Sequence, residues 1–212
     1  MCHRFNVKQN LRQIAEPFGD VQLRLDLAPD TDRYPMSDVV VIRRDVDTDE
    51  WIIELRQWGW LPSHWKPSAN YKTRKKYQRE RFNARSETAD STWGFRKAFS
   101  SQRCVLAGSS FYEPYTGGGE ARYTVAGGLF FFAGLWDHWE GEDETVDSCT
   151  MLTTEANPLI AANRTGRQRQ PVILTEMEQV ARYCDLEITE RTHLQSLLDP
   201  LPEDVMTIHI PE

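Results

Sequence analysis

The chain has 212 residues, 40% hydrophobic and 27% charged, and a formal net charge of −7. That balance fits one globular domain over residues 1–212 and excludes a disordered or low-complexity chain. No apolar run reaches membrane-spanning length, and the N-terminal stretch is studded with charge where a signal peptide would be apolar. A cytoplasmic chain with no membrane partner is expected.

In chain order, Val7, Leu11, Ile14 and Phe18 recur at helical spacing and predict an amphipathic helix. The runs DVVVIRR and WIIELRQW predict strands around the acidic turn DVDTDE. Gly59 to Tyr77 reads as loop, with Pro62 and Pro67. RCVLAGSSFYEPY reads as a strand. ARYTVAGGLFFFAGLW reads as a hairpin turning at Gly127-Gly128. SCTMLTT and PVIL are further strands, TEMEQVARYCDL and ITERTHLQSLLDPL are helices, and DVMTIHI is a last strand. The class is α+β: an antiparallel β-sheet or barrel-like core flanked by helices.

Cys104, Cys149 and Cys184 sit in apolar patterns and read as small buried hydrophobes. No cysteine or histidine spacing suggests a metal site, and no cofactor is implied. Between Lys66 and Arg85 the chain carries eight Lys/Arg and one Glu, a net +7 that leaves −14 elsewhere. Lys72, Arg74, Lys75, Lys76 and Arg81 in this block, interleaved with Tyr71, Tyr77 and Phe82, suit phosphate contacts and base stacking. A solvated charged loop is the bland alternative.

Cys2 lacks the apolar context of the other cysteines. Removal of Met1 would leave one residue with a thiol and a free α-amine, whose ordinary pKa values are about 8.5 and 7.7–8.0. An aldehyde condenses with such an amine to an imine, and the thiol then closes a five-membered thiazolidine. An internal cysteine cannot do this, because its nitrogen is an amide.

Other stretches agree with a reactive terminus. The ordered series from the N-terminal MC and RF through QWGWLPSHW, RFNARSET, Arg103-Cys104, FYEP, AGLW, MLTTEANPL and RQPVIL resembles the SOS response-associated peptidase (SRAP) family. The resemblance runs from Cys2 to about Leu174. Members protect abasic sites in single-stranded DNA through a DNA–protein crosslink. It implies that Cys2 is the crosslinking nucleophile, that Asn83 and Glu113 line the catalytic pocket, and that Arg85 grips phosphate. It places Arg4 beside the crosslink, Trp58 and Trp65 near the DNA surface, with a core place for Trp58 the equal alternative, Thr153 or Thr154 at the pocket edge, and Arg169 in the DNA-binding set. The partner expected is abasic single-stranded DNA, bound by a monomer.

The chain departs from the family pattern in places. His3 replaces a glycine, Pro114 an aromatic and Gln170 a methionine. Counting back from Pro171, Arg167 occupies the position of a histidine that assists imine chemistry and crosslink reversal. Arginine stays charged and cannot shuttle a proton. Slow reversal is one expectation; the other is that His3, next to Cys2, takes over the proton transfer. The alternatives are an N-terminal-nucleophile amidohydrolase or peptidase, and a single-strand-binding homologue without catalysis.

Overall fold

The computed structural model describes residues 2–19, 21–24 and 31–210. In chain order the elements are β1 (Arg4–Val7), α1 (Leu11–Ala15), β2 (Gln22–Arg24), β3 (Thr31–Arg33), β4 (Asp38–Arg44), β5 (Trp51–Trp58), α2 (Arg74–Arg79), β6 (Asn83–Arg85), α3 (Arg96–Ser101), β7 (Arg103–Gly108), β8 (Ser110–Pro114), β9 (Glu120–Val125), β10 (Phe130–Glu140), β11 (Thr145–Glu155), α4 (Pro158–Asn163), β12 (Arg169–Pro171), β13 (Ile173–Leu174), α5 (Met177–Cys184), α6 (Arg191–Leu198) and β14 (Met206–His209). Among them no helix is long and apolar enough to cross a membrane.

The class is the expected α+β, with a barrel at its centre. β4 pairs with β5 and β7, β7 with β10, and β10 with β11, all antiparallel. The ring is closed by a parallel pairing of β11 with β5, at Ser148↔Gln57 and Cys149↔Trp58. The core is thus not wholly antiparallel, since β2 and β6 also pair in parallel, with β5 and β11 respectively. Closure removes the exposed edges that an open sheet would present. Apolar side chains such as Val39, Val41, Ile53, Val105, Phe132 and Leu152 are buried in its core.

A second, antiparallel sheet runs in the order β14-β9-β8-β1-β3. Phe5 of β1 fastens it to the barrel, packing edge-on against Trp58 at 5.1 Å and Phe132 at 5.2 Å. Such aromatic pairs add about 0.5–1.5 kcal/mol each beyond the area they bury.

Four local expectations are corrected. Val7 lies in β1, because Asn10 caps α1 reciprocally with Gln13 and so fixes its start. The loop expected up to Tyr77 gives way to α2, whose start Thr73 caps by accepting from Lys76 N. RCVLAGSSFYEPY is two strands in two sheets. The break is at Ser109, whose amide and hydroxyl both donate to the Asn6 carbonyl. Gly108 before it allows a close approach, since a Cβ there would stand 2.5 Å from the Phe132 ring. Gly127 and Gly128 do turn the chain at φ of 86° and 80°, where glycine is favoured. The strands on either side separate, however, β9 to β8 and β14, β10 into the barrel.

Candidate active site

The two sheets meet at Cys2. The residue is wholly buried and leads directly into β1. Its Sγ donates to the Arg4 carbonyl at 3.4 Å. Its own carbonyl accepts from Asn83 Nδ2 at 2.7 Å. Asn83 opens β6, which pairs with β11 at Met151. Trp58 braces that point from behind, its Nε1 donating to the Phe82 carbonyl at 2.7 Å. Burial first, and the Glu113 charge second, push the Cys2 thiol well above its ordinary range. The thiol is therefore protonated at neutral pH, not partly ionised as an unperturbed cysteine would be.

β8 carries Glu113 beside β1, with Tyr112 opposite Arg4. Glu113 is 0% exposed and Arg164 2%, and Arg164 Nε donates to Glu113 Oε2 at 2.8 Å. Burial raises the Glu113 carboxyl above its ordinary value, against the opposing pull of the amino-terminal charge and Arg164. The cation that meets Glu113 is thus Arg164. Arg167 lies exposed three residues further on. Arg164 follows α4, which is capped by Asn157 and begins with Pro158. It forms a bridge with Tyr115, and Thr165 N donates to the Pro114 carbonyl, so the chain around it is pinned to the end of β8. The short helix started by Asn157-Pro158 is the sequence signal that could have found it.

Gln170, the other departure in this segment, is buried and accepts from Asn157 N at 2.8 Å. It thereby holds the residue that caps α4.

The remaining expected residues are dispersed. His3 Nε2 meets Glu120 Oε1 at 2.8 Å. Arg4 is held by Asp32 at 2.7 Å and Glu120 at 2.9 Å, with its guanidinium 3.9 Å over the Tyr112 ring. Trp58 is wholly buried, so its expected place at a DNA surface gives way to a core role. Thr153 is also buried, with Oγ1 donating to the Ala84 carbonyl at 3.1 Å. Thr154 is buried on the adjoining strand position, opposite Gln170. Arg169 is bound by Glu87 and by the Thr153 carbonyl. Arg85 is exposed at the end of β6 and lines, with Arg167 and Arg169, a groove of about 460 Å³.

The basic block does not gather at the thiol. Arg74 is paired with Glu144 at 2.5 Å. Arg81 lies over the Tyr77 ring at 4.0 Å and the Tyr71 ring at 4.5 Å. Lys76 Nζ donates to the Asn70 carbonyl at 3.1 Å. Lys72 and Lys75, with Trp65 and Trp139, line a second groove of about 1140 Å³ whose other wall is the acidic segment Glu140 to Glu144. From Glu144, just before β11, to Met151, the partner of Asn83, is roughly 20 Å.

The family model for SOS response associated peptidase (SRAP) matches residues 1–210. The chain belongs to the SRAP family. It is 31% identical over 214 residues to the abasic site processing protein YoqW of Bacillus subtilis (strain 168), covering 97% of this chain and 90% of that one. It is 25% identical over 203 residues to the abasic site processing protein HMCES of Xenopus tropicalis, covering 82% of this chain and 58% of that one. Among solved SRAP-like folds, a crystal structure of a Bacteroides thetaiotaomicron protein aligns with TM-score 0.85 at 20% identity, over 98% of this chain and 91% of that one. One from Bordetella bronchiseptica aligns with TM-score 0.76 at 28% identity, over 98% of each.

Proposed function

We propose that this SRAP member processes abasic sites in single-stranded DNA by forming a thiazolidine crosslink through Cys2 once Met1 is removed. Met1 itself lies outside the described residues. The observation that carries the reading is the convergence on one buried cysteine of an amide that holds its main chain, Asn83, and a carboxyl whose proton affinity burial raises, Glu113. The names of the curated relatives agree with abasic-site processing, its coarser part.

The steps follow from those groups. The freed α-amine attacks the C1′ aldehyde of the opened sugar and gives a neutral carbinolamine. Glu113 donates its proton to the hydroxyl, which leaves as water, and an iminium and a carboxylate remain. Arg164 steadies that carboxylate through the 2.8 Å bond. The thiol, protonated until then, gives its proton back to Glu113 as sulfur bonds to the iminium carbon. One water is lost overall and Glu113 ends as it began. A thiol that holds its proton suits the order of amine first and sulfur second.

Arg85 and the groove beside it supply exposed positive charge for the phosphates that flank the site. A single-stranded oligonucleotide with one abasic site tests the reading. The expected result is a protein–DNA band that survives denaturation and is absent with Cys2→Ala. Salt-sensitive binding with no such band overturns it in favour of a non-catalytic binding module.

A further inference from the structure

The pairing of β8 with β9 sets Phe111 opposite Tyr123 and Glu113 opposite Ala121. Directly paired residues of an antiparallel ladder lie on one face, and diagonal neighbours remain within reach of a long aromatic side chain. Tyr123 and Glu113 are such diagonal neighbours, with only the small Ala121 beside them. The Tyr123 ring lies on Phe111 at 5.2 Å and 17°, and the residue is wholly buried. Its hydroxyl has no hydrogen-bond partner among the described residues. A buried hydroxyl left unbonded is costly, and such groups are uncommon without a purpose.

The charged and titratable groups that face this hydroxyl are Glu113 of β8, Tyr115 just beyond it, and Arg164 after α4. Glu113 is faced in turn by the amino-terminal charge, Arg164, His3 and Cys2. Burial first and the Glu113 charge second push the Tyr123 phenol up to about 12, so at neutral pH it is a donor.

We propose that Tyr123 is a positioning residue, whose hydroxyl donates to the Glu113 carboxylate formed when that group gives up its proton. The bond strengthens Glu113 as an acid, because it favours the ionised form. The role rests on the reading of Glu113 as the proton donor in crosslinking.

Tyr123→Phe tests this and keeps the ring stack on Phe111. The Glu113 carboxyl carbon, followed by NMR through a pH titration of the full chain, reports its proton affinity without any DNA. The expected result is a midpoint about one unit higher in Tyr123→Phe, a ten-fold gain in proton affinity. Crosslinking by that variant is expected to slow about ten-fold, with its alkaline limb displaced upward by the same unit. A midpoint that stays in place or falls overturns the proposal. Failure of the wild-type chain to crosslink would overturn the preceding reading, while the titration still decides this one.

Discussion

Arg164 donates to Glu113 across 2.8 Å with both side chains out of solvent. The pair sets the protonation chemistry of the site, because the guanidinium is permanently charged while the carboxyl can exchange its proton. Removing the cation, as in Arg164→Met, leaves the carboxyl buried alone. A destabilisation of about 3 kcal/mol is expected, the low end for breaking a buried pair, because the carboxyl escapes part of the cost by taking up a proton. The denaturation midpoint measures it. Since Arg164 cannot cycle a proton, a formed crosslink should also exchange slowly onto fresh abasic DNA. Rapid exchange would remove that expectation.

Glu113 gives the rate a pH dependence of definite sign. The acid form is the reactive one, so crosslinking should fall as pH rises through a midpoint above this carboxyl's ordinary value. Glu113→Gln should lose this limb along with most of the rate. Stability runs the same way. The folded chain holds this proton more tightly than the unfolded chain, so the contribution is full below the unfolded value and is lost as pH rises through the folded one. Chemical denaturation across pH, wild type against Glu113→Gln, isolates that slope.

Asn83 is tested through the bond it makes to the Cys2 carbonyl. Asn83→Asp keeps the shape and loses the donor. It should crosslink at least ten-fold more slowly, since the reacting terminus is no longer held. The unpaired carbonyl should cost about 1–3 kcal/mol. A variant with unchanged rate would show that the terminus is held elsewhere.

The basic residues divide by their partners. Arg85 is exposed beside the site, whereas Arg74 is committed to Glu144 at the far end, just before β11. Arg85→Ala should weaken binding to single-stranded DNA and reduce the salt slope by about 0.7, the share of one phosphate contact. Arg74→Ala should leave both nearly unchanged. Fluorescence titrations at several salt concentrations compare the two.

Much of this site was legible before the fold was known. Cys2 stood out because its position has a chemistry that no internal cysteine shares. β4 and β5 were readable from their apolar runs, and α5 and α6 from helical spacing. Other features were written in pairings that lie far apart in sequence. Nothing local says that β8 and β7 belong to different sheets, or that β11 closes a barrel onto β5. Arg164 escaped because nothing local says that the turn after α4 is pinned to the end of β8. Trp58 stayed undecided between core and DNA surface, because a tryptophan that braces Phe82 looks the same in sequence as one that stacks on a base. Charge counts likewise could not reveal that Arg4 and Arg74 already have carboxylate partners.

The most direct test of the central claim is the intact mass of the crosslinked species. The expected mass is the chain without Met1, plus the abasic oligonucleotide, less one water, with no adduct from Cys2→Ala. An adduct that retains Met1, or one that forms equally well without the Cys2 thiol, would contradict a thiazolidine at the amino terminus.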